Sequence, residues 1–420
     1  MKKRTNLSGL IEKNLPEELL TLAEKLVALT VSRKQPLYLV GGVVRDLLLG
    51  MPNLDLDFVV EGDAIGLAKE MAQSTGGKLT THTRFNTAKL RLDKWSLDLA
   101  TARSETYAHP GALPTVKPGT LKDDLFRRDF TINAMAIRLA PERYGELIDL
   151  YGGHADLRHK FIRILHEKSF TDDATRIWRA IRYEQRLDFQ IEAETLRLLK
   201  RDILMLDTIS GDRIHHELEL VLKEEYPEKM MHRAWVLKVL GKIHPSLKGD
   251  AWLQDKFSSA RVMANKGQEL TGLYLALLTY RLSEQEVEEV IAFLRPTRQI
   301  AIILRDSNQL QTAMKELTRK RLQPAPIYSI LHGYNHTALL AHYIASSSAT
   351  ARNAIKLYLE KLRFVKTALT GDDLRAMGIP PGPQMQEVLV ILHNARLNGE
   401  VKSRQEEETL VREWKASRKS

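Results

Sequence analysis

The chain has 420 residues, 43% hydrophobic and 28% charged, with a formal net charge of +10. That length exceeds a single core, so roughly two to four domains are expected. The excess of Lys and Arg suits a polyanionic partner. With no cysteine, disulfides, thiol nucleophiles and Cys-ligated zinc are excluded, in keeping with a reducing compartment. The first residues, MKKRTNLSGLIEKNLPEELL, turn to charge before any signal-like apolar core. No apolar run is long enough to span a bilayer, so a cytoplasmic protein without a membrane partner is expected.

Residues 1 to about 35 read as helical, with Leu19, Leu20, Leu22, Ala23, Leu26 and Val27 forming an amphipathic stripe. A strand at 37–41 then runs into Gly41-Gly42 and a helix that carries Arg45 and ends at Gly50, with Pro52 just beyond. The backbone N–H groups of such a turn, the helix N-terminus and a guanidinium can all face a phosphate. The next strand, 54–60, holds Asp55-Leu56-Asp57 in an apolar run. Side chains two apart on a strand share a face, so Asp55 and Asp57 point one way while Leu56 and Phe58 point the other. Two such carboxylates repel unless a divalent cation lies between them, and hard oxygen ligands suit Mg²⁺. Alone, an Asp-x-Asp is ordinarily solvated surface and a Gly-Gly ordinarily a turn. Separated by one short helix, they form a layout for moving a nucleotide.

Further along, a helix at 64–75 and strands at 78–82, 87–92 and 96–101 are expected. Asp98, between Leu97 and Leu99, is the candidate for a third catalytic carboxylate. A polar segment at 102–120 precedes Asp123-Asp124 and then Arg127-Arg128-Asp129. There an arginine pair could neutralise a triphosphate and a carboxylate could accept a ribose hydroxyl, although a helix-start charge cluster would look the same. Strand signals stop after Gly152-Gly153, and the rest reads as helices broken by prolines at 296, 324, 326, 380, 381 and 383. Within TDDATRIWRAIRY, residues 171–183, one helix would put Asp173 and Arg176 at i,i+3, with Arg179 and Arg182 continuing the row. Such a row is usually a solvated face. A carboxylate that accepts beside a guanidinium that donates would nonetheless match the pairing edge of cytosine or adenine and reject uracil and guanine. Trp178 is expected to pack rather than stack on a base.

Taken together, LVGGVVRDLLLG…DLDFVV, DDLFRRDFTINAMA and DDATRIWRAIRY resemble the bacterial-type (class II) tRNA nucleotidyltransferase and poly(A) polymerase family. The resemblance covers residues 37 to about 220 and, more weakly, the helical remainder. It implies an α+β fold: a small mixed-sheet, polymerase-beta-like nucleotidyltransferase head, then all-α neck, body and tail domains in a curved outline. The boundaries expected are 1–35 for the N-terminal helical segment, 36–150 for the head, 151–225 for the neck, 226–360 for the body and 361–420 for the tail. The resemblance further implies Asp55 and Asp57 as ligands of catalytic Mg²⁺, and Gly42 and Arg45 as holders of the triphosphate. It assigns Arg128 to phosphate, Asp129 to ribose, Asp173 and Arg176 to the base, and Arg179 and Arg182 to support of the nucleotide.

The activity implied is template-independent addition or repair of the tRNA 3′ CCA end from CTP and ATP. The alternatives are a partial enzyme adding A or CC, and a poly(A) polymerase. The pair Asp172-Asp173 stands where the family usually has Glu-Asp, and segments 100–114 and 371–383 resemble members that divide CC and A addition between two enzymes. Extra N-terminal domains carried by those relatives are not expected here, and the undeleted 102–120 segment favours an enzyme that switches nucleotides. The RNA partner would be read at its acceptor stem and T-arm through backbone and 2′-hydroxyl contacts. An RNA-binding module with an inactive head is disfavoured, since every motif position holds a competent residue. His215-His216 and His332/His336 are not expected to bind metal, and the basic run Arg319, Lys320, Arg321 is left as a solvated face.

Overall fold

The computed structural model describes residues 5–264, 270–319 and 321–418; Lys320 and residues 1–4 of the N-terminal segment lie outside that range. The chain divides into two compact units, Met1–Glu217 and Leu218–Ser420. No helix among the described residues is long and apolar enough to cross a membrane.

The first unit opens with α1 (Ser8–Asn14) and α2 (Glu17–Ser32), separated at Pro16, whose ring suits the start of a helix. Next come β1 (Leu37–Val40), α3 (Gly42–Leu49), β2 (Leu56–Val60), α4 (Ala64–Thr75), β3 (Lys78–His82), β4 (Thr87–Leu92) and β5 (Trp95–Thr101). Then follow β6 (Arg103–Thr106), β7 (Thr115–Pro118), α5 (Leu121–Phe126), β8 (Met135–Arg138) and β9 (Leu147–Asp149). Seven strands make one mixed sheet in the order β3-β4-β5-β2-β1-β8-β9. The β2–β5 pair is parallel and sets Asp57 directly opposite Asp98.

Alternation decides the faces. Leu37, Leu39, Leu56, Phe58 and Val60 are buried in one core with helix residues such as Val44, Leu47 and Leu67. Tyr38, Val40 and Val59 are buried on the opposite side with Leu121 and Leu125 of α5. Asp57 shares Val59's face.

Several expectations need correction. The strand predicted at 54–60 begins at Leu56, leaving Asp55 just ahead of it, and Leu54 is exposed. The 102–120 segment contains the antiparallel β6–β7 pair. The short strands β8 and β9 lie in a stretch where apolar content alone gave no period to read. Strand pairing also continues past Gly153, where β10 (Phe161–Ile162) pairs in parallel with β11 (Gln190–Ile191). Around them run α6 (Gly153–His159), α7 (Ser169–Asp172), α8 (Thr175–Arg186), α9 (Ala193–Arg201) and α10 (Gly211–Leu222). The single helix expected over 171–183 is therefore two, because Asp173 takes an extended backbone between α7 and α8.

The second unit is helical throughout its described residues. It comprises α11 (Pro227–Val236), α12 (Ala251–Met263), α13 (Thr271–Thr279), α14 (Glu284–Leu294) and α15 (Arg298–Leu317). After these come α16 (Pro324–Leu331), α17 (His336–Ala345), α18 (Ala349–Glu360), α19 (Gly371–Ala376), α20 (Pro383–Asn398) and α21 (Arg404–Ser417). Pro324 and Pro383 open their helices, at the breaks between helices that the prolines marked in the sequence. His332 closes α16 and His336 opens α17, so the two do not share a helix face.

Candidate active site

A cavity of about 880 Å³ in the first unit gathers most of the residues singled out from sequence. At one end, β1 delivers the chain to Gly41, which adopts φ +78. A Cβ there would lie 2.7 Å from Arg128 Nη1 and 3.6 Å from Asp57 Oδ2, so only glycine lets the turn pass between them. Gly42 opens α3 beside the same cavity.

Asp55 and Asp57 both line the cavity and are exposed to it. No hydrogen bond or ion pair from the described residues engages either carboxylate, although the Asp55 backbone N–H donates to Asn53 Oδ1 at 2.9 Å. Desolvation by the surrounding protein, reinforced by Asp98 and Asp55 and opposed by Arg128, pushes Asp57 up to about 6. An unpartnered carboxylate pair under mutual repulsion is a donor set that a hard divalent cation fits. Asp98 stands beside Asp57 in register, but its Oδ2 accepts from Lys89 Nζ at 2.9 Å. Asp98 borders a neighbouring cavity, and no three ligand side chains among the described residues form a ready-made metal cage.

Arg128 donates from Nη2 to Asp124 Oδ2 at 3.0 Å, while its Nε is buried without a hydrogen-bond partner. It is the arginine near the carboxylates that keeps an unengaged donor. Arg45, by contrast, is buried and turned inward. It grips Asp46 with Nε and Nη2 at 2.8 and 2.9 Å, reaches Asn133 Oδ1 with Nη1 at 2.7 Å, and lies 5.0 Å from the Tyr183 ring centroid.

Asp129 is likewise occupied. Its Oδ1 accepts from the Phe130 N–H (2.8 Å) and Asn133 Nδ2 (3.0 Å), and its Oδ2 from Arg179 Nε and Nη2 (2.8 and 2.6 Å). Burial opposes its charge, yet Arg179 and these donors prevail and hold it down to about 2. Asp129 thus fastens α8 to the segment between α5 and β8.

The far wall comes from Asp173, α8 and Glu217 of α10. Asp173 and Arg176 both line the cavity; the Arg176 N–H donates to the Asp173 carbonyl at 3.1 Å, but their side chains do not bond one another. Asp173 Oδ1 accepts from Thr175 N (3.1 Å), Thr175 Oγ1 (2.7 Å) and Arg213 Nη2 (2.8 Å). Arg176 donates to Ser169 Oγ and the Arg127 carbonyl, both at 2.7 Å. Arg182 is buried and does not itself line the cavity, but its guanidinium lies 5.4 Å from the ring centroid of Tyr183, which does. A step of three falls about 60° short of a full turn, and the second step carries Arg182 off the face. The residues that share the wall are Arg176, Arg179, Tyr183 and Arg186, spaced three, four and three. That spacing was present in the sequence. Asn133, Glu105, Tyr107 and Glu217 also line the cavity, and no local pattern marks them. Trp178 is wholly buried.

Residues 37–163 match the family described as the poly A polymerase head domain, and residues 188–250 match the one described as a probable RNA and SrmB-binding site of polymerase A. The A-adding tRNA nucleotidyltransferase of Halalkalibacterium halodurans is 33% identical over 97% of this chain and 96% of its own length. The chain belongs to the class II tRNA nucleotidyltransferase family. Another member, the A-adding tRNA nucleotidyltransferase of Geobacter sulfurreducens, is 36% identical over 96% of this chain, which spans 48%, about half, of that relative. Among solved structures of the family, the Thermotoga maritima CCA-adding enzyme complexed with tRNA superposes with a TM-score of 0.80 at 33% identity. That match covers 98% of this chain and 99% of the other. The mixed-sheet head followed by helices is the α+β architecture expected of the family.

Proposed function

We propose that this chain adds nucleotides from CTP and ATP to the 3′ end of tRNA and builds the CCA terminus without a nucleic-acid template. The observation that carries the reading is one cavity with unengaged carboxylates at one end and an arginine-rich helix wall at the other. In-line phosphoryl transfer asks for little else: charge stabilisation at the triphosphate and a fixed position for the base. Asp55 and Asp57 would hold Mg²⁺, which supplies Lewis-acid stabilisation of the phosphoryl charge and a more nucleophilic 3′-hydroxyl. Arg128 and the N-terminal turn of α3 at Gly42, both lining the cavity, would face the phosphates.

Asp173 and Arg176 would read the base by accepting from its amino group and donating to its ring nitrogen. Arg179 would support the nucleotide by fixing Asp129 and α8. Arg45 and Asp129, which line the cavity but are held by Asp46, Asn133 and Arg179, would act as its frame, and Asp98 as a neighbour that tunes Asp57. The helical second unit would take the acceptor stem and T-arm through phosphate and 2′-hydroxyl contacts. Binding should then weaken steeply with salt and vary little with stem sequence. The cytoplasm is the compartment this reading implies.

A second reading, addition of the terminal A alone, is favoured by the names of the Geobacter and Halalkalibacterium relatives. One experiment separates the two. tRNA ending at the discriminator base, at C or at CC is supplied with CTP and ATP, separately and together. Complete CCA on the shortest substrate, with no longer tail, is the expected outcome. Extension confined to the CC substrate would establish A addition, and long A tails would make the chain a poly(A) polymerase.

A further inference from the structure

The three donors to Asp173 all converge on one oxygen. Thr175 N, Thr175 Oγ1 and Arg213 Nη2 reach Oδ1 at 3.1, 2.7 and 2.8 Å, while Oδ2 receives no hydrogen bond from the described residues. Two of these donors are local and would cap the start of α8 whatever the residue's purpose. The third is not. Arg213 comes from the first turn of α10, 40 residues along the chain. Its other arm, Nη1, reaches the Gly111 carbonyl at 3.5 Å. Gly111 in turn adopts φ +78 so close to Thr208 that a Cβ would lie 2.3 Å from the Thr208 carbonyl oxygen. Arg213 is thus braced between the connection joining β6 to β7 and the carboxylate that borders the cavity. Without it, Asp173 would be tethered by Thr175 alone, at a point where the backbone is neither α7 nor α8, and its χ angles would be free to turn Oδ2 elsewhere.

We propose that Arg213 is a positioning residue for nucleotide choice, clamping Oδ1 of Asp173 so that Oδ2 is held ready for the amino group of the incoming base. This rests on Asp173 reading the base, as proposed above. Arg213 makes no contact with the nucleotide in this account; it acts by fixing the direction of the one acceptor that distinguishes an amino-bearing base from a carbonyl-bearing one.

The test is single-turnover incorporation of ATP against GTP on tRNA ending in CC, and of CTP against UTP on tRNA ending at the discriminator base. It compares the wild type, Asp173→Ala, Arg213→Ala, Arg213→Lys and the Asp173→Ala/Arg213→Ala double variant. The readout is the preference ratio, which a merely structural loss does not move, because both nucleotides meet the same folded fraction. Asp173→Ala should relax the preference by about ten- to a hundredfold. Arg213→Ala should relax it by about tenfold, Arg213→Lys should restore much of it, and the double variant should match Asp173→Ala alone. If Arg213→Ala does not fold, Arg213→Met, of similar length but without a donor, is held to the same expectation.

An unchanged preference in Asp173→Ala would overturn base reading by Asp173, and the clamp with it. A relaxed Asp173→Ala beside a wild-type preference in Arg213→Ala or Arg213→Met would overturn the clamp alone. Losses that multiply in the double variant would also overturn it, because Arg213 would then act independently of Asp173.

Discussion

In the first unit, ionised side chains lie in the interior in two strings. One runs from Asp46 through Arg45, Asn133, Asp129 and Arg179 to Glu217, and the other from Arg176 through the Arg127 backbone to Asp124 and Arg128. The second unit is built differently. Its interior is aliphatic, as in Leu310, Leu331, Leu339 and Ile355 of one cluster and Leu374, Leu392 and Val411 of another. Among its described residues the buried carboxylates are Glu228, paired with Arg261, and Glu407, which accepts from the Ala368 and Leu369 N–H groups and from Arg396. Glu407 ties the chain before α19 to α21 and borders no cavity described above.

A buried ion pair is poor value as a stabiliser, because desolvation offsets most of its attraction. Strings of them beside a cavity therefore mark a place where charge is held for use on something else, whereas the second unit uses its few charges to hold itself together.

The largest stability effect that sharpens this contrast is expected at Asp124. Its carboxylate is wholly buried between Arg127 and Arg128. Asp124→Ala should destabilise by about 3–5 kcal/mol in chemical denaturation by leaving Arg128 without its carboxylate and Arg127 with Glu105 alone, and should also raise the KM for nucleotide by freeing Arg128. A loss below about 1 kcal/mol would place these charges in a looser, wetter setting than the one described.

The second unit makes the opposite prediction through His342, which is buried, donates its Nε2–H to the Ser307 carbonyl at 2.6 Å, and is pushed down to about 4 by desolvation. Its folded value lies below its unfolded one, so the unfolded chain binds the proton more readily. Stability is full above about pH 6.5 and falls as pH drops toward 4, by roughly 3 kcal/mol at most. His342→Gln should flatten that part of the pH–stability curve. A profile identical to wild type would remove His342 from the account.

The smallest effect concerns Asp57. In metal-free protein its carboxyl should titrate near pH 6 when followed by NMR. Because its folded value is raised, proton binding favours the fold, and this contribution disappears as pH rises through about 6. Asp98→Asn should lower the midpoint by a fraction of a unit by removing a like charge from the adjacent register position. Added Mg²⁺ should lower it further. A midpoint unmoved by either change would mean that the carboxylates do not sense one another.

Much of the sheet and the carboxylate end of the cavity was legible in the sequence, since helix 64–75 and strands 78–82 and 87–92 coincide with α4, β3 and β4. Alternation over five or six residues is a local signal that marks Asp57, and a Gly-Gly pair between strand and helix marks the turn at Gly41. The far wall was less legible. Asp173 breaks the helix because its side chain satisfies Thr175 at the start of α8, a local competition that a run of helix-forming residues conceals. Arg182 was read by a step of three where the helical face follows three, four and three. Glu217 reaches the cavity, and Arg213 the Asp173 carboxylate, through tertiary placement of α10, which no spacing within TDDATRIWRAIRY foretells.

The central claim is that the first unit's unengaged carboxylates carry the chemistry, and pyrophosphate release tests it most directly. ATP, Mg²⁺ and tRNA ending in CC are supplied to the wild type and to Asp57→Ala, with tRNA binding measured alongside. The account predicts steady release by the wild type and a loss of about a thousandfold or more in the variant, at undiminished tRNA affinity. Near-wild-type release by Asp57→Ala would contradict it.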